Sequence, residues 1–280
     1  MFKIINQQEI GEKMGLLDVV APKIARKAQA GQFVLIRISE KGERIPLTIA
    51  DYDREKGTIT LIFQEVGATT KKLGLLKTGD FLLDLVGPLG EPTEIENYGT
   101  IVCVGGGVGI APIHPIARAL KEAGNKVISI IGARTENLLF WQDKMKNVSD
   151  ELLIATDDGS VGHKGFVTDL LKRLMEENEI NRVWAIGPMV MMKAVAQVTK
   201  PKNIKTIVSL NPIMVDGTGM CGACRVQIGN ETKFACVDGP EFDAHLVDFD
   251  LAMRRLAYYK DAEKRALAQQ ECQGGGCGCH

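Results

Sequence analysis

The chain has 280 residues, a formal net charge of −1, 45% hydrophobic residues and 25% charged residues. That length exceeds one hydrophobic core and predicts two domains with an appendage. The balanced charge, with no block of one sign, excludes a nucleic-acid or anionic-membrane binder. Apolar runs such as Ile128–Ile131 are too short to span a bilayer. The opening MFKIINQQEIGEK lacks the apolar core of a signal peptide, so a cytoplasmic protein without a membrane span is expected.

Residues 1–97 read as one antiparallel β-barrel. Short apolar stretches, Phe33–Ile38 and Thr58–Phe63 among them, alternate with glycine and charged turns. Lys77-Thr78-Gly79-Asp80 is a turn into a strand over Phe81–Val86, and Gly87-Pro88-Leu89-Gly90 closes the region. The rhythm changes near residue 98. Strands are predicted over Thr100–Val104, Val127–Gly132, Leu152–Thr156, Arg182–Ile186 and Lys205–Leu210. Helices fall between them, over Ala111–Glu122, Phe166–Asn178 and Met189–Thr199. Strands alternating with helices mean βαβ units and a parallel sheet, so 98–212 is expected to be an α/β domain. Residues 213–240 hold a cysteine cluster, 241–270 read as a polar helix, and 271–280 form a Cys/Gly-rich tail expected to be mobile.

The run Gly105-Gly106-Gly107-Val108-Gly109-Ile110-Ala111-Pro112 follows an apolar strand and opens a helix. Glycines let a backbone turn sharply and approach a pyrophosphate. The helix start adds unpaired N–H groups and a positive dipole end. Gly106, Gly107, Val108 and Gly109 are therefore candidate nucleotide contacts, the alternative being a tight turn without ligand. Further candidates sit where open α/β sheets bind ligands, at the C-terminal ends of strands. Arg134 either meets a ribose or phosphate or is a solvated surface charge. Asp157 either contacts a dinucleotide or belongs to a turn. Gly187, Pro188 and Met189 start a helix that faces a nicotinamide in the ligand-bound reading. NAD(H) and NADP(H) are not separated by these residues. Cys103, alone in an apolar run, reads as core.

Taken in order, these stretches resemble the ferredoxin reductase-like flavoprotein family over nearly the whole chain. In that family a barrel holds FAD and a parallel-sheet domain holds the nicotinamide nucleotide. The barrel motif stands here as Arg44-Ile45-Pro46-Leu47-Thr48. The resemblance implies that Arg44 meets the FAD pyrophosphate and that Leu47 and Thr48 lie along the isoalloxazine, with Pro46 among the FAD contacts. A guanidinium fork suits phosphate. A second stretch, Gln64-Glu65-Val66-Gly67-Ala68-Thr69-Thr70, places Gln64, Val66, Gly67, Thr69 and Thr70 at the flavin, the last three at a phosphate-binding turn.

Seven cysteines are present, and six of them cluster: Cys221, Cys224 and Cys236, then Cys272, Cys277 and Cys279. In a reducing compartment such clusters read as metal ligands sooner than as disulfides. The plant-type [2Fe-2S] spacing is C-x4-C-x2-C…C. Here its last three positions are Cys221, Cys224 and Cys236, and Asp216 stands at the first. The alternatives are structural zinc, or a fourth ligand from elsewhere with Asp216-Gly217 only a turn. The tail donates a ligand, binds a metal or has no role, the last being favoured.

Two iron–sulfur subgroups of the family are most similar. One is the electron-transfer subunit of dihydroorotate dehydrogenase, which has cysteine at the first position. The other is the small subunit of NADH-dependent reduced ferredoxin:NADP oxidoreductase, whose cluster is held by one Asp and three Cys. The second resemblance implies an electron-transferring flavoprotein subunit, with Asp216, Cys221, Cys224 and Cys236 as cluster ligands. It implies a larger partner with flavin and [4Fe-4S] clusters in a heterodimer, ferredoxin reached through that complex, and electron bifurcation. A non-catalytic metal-binding module is the reading from another class, and the intact Arg44–Thr48 and Gly105–Pro112 motifs oppose it.

Overall fold

The computed structural model describes residues 1–274. Of the tail expected to be mobile, residues 271–274 are helical, while 275–280, with Cys277 and Cys279, lie outside the described residues, as does the side chain of Cys272. Residues 1–97 contain β1 (Phe2–Gly11), β2 (Met14–Val20), α1 (Pro22–Lys27), β3 (Phe33–Arg37), β4 (Ile45–Asp53), β5 (Thr58–Gln64), α2 (Ala68–Gly74), β6 (Phe81–Leu82) and β7 (Asp84–Leu89). The strands form one antiparallel sheet in the order β6-β1-β2-β5-β4-β3-β7. The single strand expected over Phe81–Val86 is instead broken at Leu83. Its first part pairs with β1 and its second with β3, so one stretch of chain joins both ends of the sheet into a nearly closed barrel. Closure removes the exposed edges that an open sheet would leave. Ile4, Leu17, Val34, Ile49, Leu61 and Phe63 fill its interior. Two short helices interrupt a region that reads as all-β. One begins with Pro22, whose fixed φ suits a first helical turn.

The second region contains β8 (Thr100–Gly106), α3 (Ile110–Glu122), β9 (Lys126–Ala133), α4 (Gln142–Asn147), β10 (Glu151–Thr156), β11 (His163–Lys164), α5 (Val167–Glu177), β12 (Arg182–Ile186), α6 (Met189–Thr199) and β13 (Lys205–Ser209). The central strands, in the order β10-β9-β8-β12-β13, are all parallel. The order reverses direction at β8, which places the Gly105–Gly109 loop at the switch point where such sheets bind ligands. Both faces are covered: Val104, Ile130, Leu171 and Val195 pack on one side, and Ile101, Ile113, Ile131 and Trp184 on the other. Helix α3 lies between sheet and barrel, and Arg118 pairs with Asp51 of β4 at 2.7 Å.

The remainder differs from the expected single helix over 241–270. A hairpin of β14 (Arg225–Ile228) and β15 (Glu231–Phe234) turns at Gly229-Asn230. Then β16 (Glu241–Asp243) adds antiparallel to β13 at the edge of the nucleotide sheet. Only after it come α7 (Phe249–Leu256) and α8 (Lys260–Gly274). The sheet edge offers backbone partners that override the helix-forming composition at residues 241–243. Asp248 then caps α7 by accepting the Leu251 amide at 2.9 Å. Among the described residues no helix is long and apolar enough to cross a membrane.

Candidate functional site

One cleft of ≈ 970 Å³ runs between the barrel and the parallel sheet. Its barrel wall carries Arg44, Pro46, Leu47, Thr48, Gln64, Val66 and Thr70. The opposite wall carries Val108, Gly109 and Gly187 from the glycine loop and the β12–α6 turn. Its size and mixed lining suit a large cofactor. Pairing of β3 with β4 sets Phe33 opposite Thr48 and Leu35 opposite Pro46, so the Pro46–Thr48 stretch is held by an ordered strand. Arg44 precedes β4, is exposed, and has no ion-pair partner among the described residues. An unpaired guanidinium at a cleft rim fits an anionic pyrophosphate.

At the second barrel motif the hydroxyls are occupied locally. Thr70 accepts the amides of Val66 at 3.0 Å and Gly67 at 2.9 Å, and Thr69 donates to Glu43 at 2.7 Å. Thr70 thus shapes the turn. Gly67 and Thr69 are not among the cleft-lining residues.

In the glycine loop, Gly107 has φ +54°, and a Cβ there would meet nothing within 4 Å. The left-handed backbone favours glycine, and the space above it is open for a ligand. Gly109 is the opposite case. A Cβ there would lie 2.6 Å from the Ile186 carbonyl carbon and 2.8 Å from Gly187 Cα, so the loop rests directly on the next strand's turn. Gly106 is buried beneath Met191 and Pro188. Arg134 and Asp157 are exposed at the ends of β9 and β10, Pro188 is exposed and Met189 half-buried, and none of the four lines the cleft. Cys103 is fully buried, as expected, and burial raises its thiol pKa far above the ordinary value.

The iron-ligand candidates are brought together only in part. Cys224 and Cys236 are buried with their sulfurs 3.2 Å apart. Cys221 is exposed. Asp216 accepts the Thr218 and Cys221 amides, both at 2.8 Å, and the Thr218 amide first holds its carboxyl below the usual carboxylate range. Burial, and then the neighbouring Cys224, push the Cys236 thiol up to about 12. Among the described residues no three His, Cys, Asp or Glu side chains already form a metal-holding group. The donor chemistry nevertheless fits iron–sulfur ligation: two adjacent thiols that a metal would deprotonate, a third thiol, and an ionised carboxylate on the same loop. The loop sits against the barrel, since a Cβ on Gly217 would lie 2.8 Å from Leu35 Cδ1 and Leu89 Cδ1.

Two further stretches line the cleft that the sequence reading did not assign to it: Ser209–Val215, and Tyr259, Ala262, Glu263 and Ala266 around α8. The polar composition of α8 carries no signal of it. Only the spacing of Ala262 and Ala266, one helical turn apart, marks a shared face.

Barrel, parallel sheet and the cleft between them define a ferredoxin reductase-like oxidoreductase with an appended iron–sulfur domain. Family models agree: residues 103–197 match an oxidoreductase NAD-binding domain, and residues 211–248 match the iron–sulfur cluster binding domain of dihydroorotate dehydrogenase B. A Thermotoga maritima protein named as a homolog of the dihydroorotate dehydrogenase B (NAD(+)) electron transfer subunit is 51% identical, across 94% of this chain and 93% of its own. The electron transfer subunit of that enzyme from Bacillus cereus is 33% identical, across 85% and 94%. A chain from a structure of NADH-dependent reduced ferredoxin-NADP oxidoreductase, solved for insight into flavin-based electron bifurcation, is 49% identical. It superposes with a TM-score of 0.92, covering 96% of this chain and 97% of that one. The chain belongs to the family of dihydroorotate dehydrogenase B electron transfer subunits and their homologues. It is an oxidoreductase whose cofactors are FAD, NAD(H) and an iron–sulfur cluster.

Proposed function

We propose that this chain is the NAD(H)-handling electron-transfer subunit of an NADH-dependent ferredoxin:NADP oxidoreductase. In this reading its partner is a larger flavin and [4Fe-4S] subunit in a heterodimer that reaches ferredoxin and bifurcates electrons. The single observation that carries the reading is the continuous cleft, in which the Arg44–Thr48 wall faces Val108, Gly109 and Gly187. When bound, FAD would take a hydride from the nicotinamide and release its electrons singly, with a [2Fe-2S] cluster as the relay.

The residues supply binding and geometry. Arg44 offers a charge and paired N–H donors to the flavin pyrophosphate. Pro46, Leu47 and Thr48 form the wall along the ring system, with Gln64 and Val66 beside it. Gly107 leaves open space for the dinucleotide pyrophosphate ahead of α3, and Gly106 supports the loop from beneath, while Gly187, Pro188 and Met189 stand on the nicotinamide side. Arg134 and Asp157 are assigned to the outer part of the nucleotide. Asp216, Cys221, Cys224 and Cys236 would hold the cluster. No side chain is assigned as acid or base, because hydride transfer to flavin requires none. The domain division 1–97, 98–212, 213–240 and beyond belongs to the same reading.

A dihydroorotate dehydrogenase partner is the second reading, favoured by the relatives' names. Aspartate at the first ligand position favours the first. Anaerobic iron and sulfide analysis with EPR of the dithionite-reduced protein tests it, for wild type and Asp216→Ala. Two irons per chain with a signal altered in the variant is the expected result. No iron would turn the reading toward zinc, and a cluster indifferent to the substitution would turn it toward a ligand from the tail cysteines or toward the dihydroorotate-type complex.

A further inference from the structure

Glu241 takes no part in the site described above, yet it stands where the three units of the chain meet. The residue as a whole is half-buried, and its carboxyl is the deeply enclosed end. Oε1 accepts the Thr93 hydroxyl at 2.6 Å, and Oε2 accepts the Trp184 indole N–H at 3.2 Å. Thr93 lies in the segment that leaves the barrel, and its amide donates to Ala30 at 2.9 Å. Trp184 is the buried centre of β12 in the nucleotide sheet. Glu241 itself opens β16, and Gly239 and Pro240 lead directly back to Cys236.

The surrounding backbone is equally close. Glu91 donates its amide to the Gly239 carbonyl at 2.6 Å, and Leu210 donates to Pro240 at 2.9 Å. A Cβ on Gly31 would lie 2.9 Å from Glu241 Oε1. Pro240 and Leu210 line the flavin cleft. One carboxyl therefore ties the barrel exit and the nucleotide sheet to the strand that follows the Cys236 turn, next to Pro240 and Leu210 of the cleft lining.

We propose that Glu241 is a positioning residue for electron transfer, pinning the cluster segment to the barrel and the nucleotide sheet so that the flavin-to-cluster spacing is set. This rests on the reading that flavin occupies the cleft and a cluster the 216–236 segment. In the step concerned, reduced flavin loses one electron and the cluster gains it; no bond forms or breaks at Glu241.

The surroundings of the carboxyl fit a fixed anchor. Thr93 and Trp184 are neutral donors, and Cys103 across the sheet is held neutral by burial. Beyond the indole, Arg182 stacks on Tyr98 at 3.6 Å and pairs with Glu94 at 3.1 Å. With no opposite charge in contact, burial pushes Glu241 up to about 7. A neutral amide is therefore a fair substitute for it: the oxygen of a glutamine accepts from Trp184 and its nitrogen donates to the Thr93 hydroxyl.

The test uses the full chain loaded with FAD and cluster, mixed anaerobically with NADH. Flavin bleaching is followed by stopped flow, and cluster reduction by freeze-quenched EPR. Glu241→Ala is expected to keep its flavin, iron and NADH-to-flavin rate but slow cluster reduction by up to about a hundredfold, the scale of a misplacement of about 1 Å. Glu241→Gln is expected to restore it. Thr93→Val, which removes one donor and leaves the carboxyl in place, serves if the alanine variant does not hold its cofactors, and is expected to slow the same step alone. Wild-type cluster reduction in Glu241→Ala or Thr93→Val, or a glutamine variant as slow as alanine, would overturn the proposal. Wild-type protein without flavin or iron would instead overturn the reading on which it rests.

Discussion

Replacing Gly109 by alanine adds one methyl group where the glycine loop rests on the β12–α6 turn. The backbone there, with φ −64°, is one that alanine adopts freely, so conformation adds no cost. The cost is steric. The new Cβ would lie 2.6 Å from the Ile186 carbonyl carbon and 2.8 Å from Gly187 Cα, and closer still to the Ile186 oxygen. All three are backbone atoms of the central sheet and its turn, which cannot rotate aside as a side chain can. Overpacking of this kind costs about 1–3 kcal/mol. The strain falls between the two loops that floor the nucleotide side of the cleft, so stability and nucleotide affinity should fall together.

Gly107→Ala is the control. Its Cβ enters open space, but φ +54° places alanine in the left-handed region at about 1–2 kcal/mol. Flavin should stay bound in both variants. Denaturant unfolding and titration of bound flavin with NADH under anaerobic conditions measure the two effects. Wild-type stability in Gly109→Ala would refute the close-approach reasoning. Unchanged NADH affinity in Gly107→Ala would place the pyrophosphate elsewhere.

Arg44→Ala removes the charged donor from the cleft rim. A charge-assisted hydrogen bond of about 1.5–3 kcal/mol predicts FAD held about tenfold to a hundredfold less tightly, measured by flavin occupancy after dialysis, and full occupancy would refute the phosphate role. His114 is buried on α3 against Trp141, and its Nδ1 has no hydrogen-bond partner among the described residues. Burial first, with Arg118 and Lys144 adding to it against Asp51, holds its pKa at about 4. The unfolded chain then takes up the proton first, so stability is full above the ordinary histidine pKa of about 6.5 and is lost as pH falls toward 4. His114→Leu should lose less stability than wild type between about pH 7 and pH 5, and equal losses would reject the assignment.

Much of this molecule is legible along the chain, because the decisive signals are local. An apolar strand, a glycine run and a helix in sequence specify a βα turn, and the alternation of such units specifies the parallel sheet before any long-range contact is known. Residue spacing likewise carries Arg44–Thr48 and the Asp216–Cys236 set, since each is a short segment with its own chemistry. What the tertiary structure decided depends on partners distant in sequence. Phe81–Leu89 breaks at Leu83 because its two parts pair with opposite ends of the barrel sheet, β1 and β3. Residues 241–243 become a strand because β13 leaves an edge to fill. The cleft role of Tyr259 and Glu263, and the junction at Glu241, arise only when barrel, sheet and C-terminal segment pack together. Burial and hydrogen bonding between remote segments leave no periodicity in the sequence, so only the assembled fold reveals them.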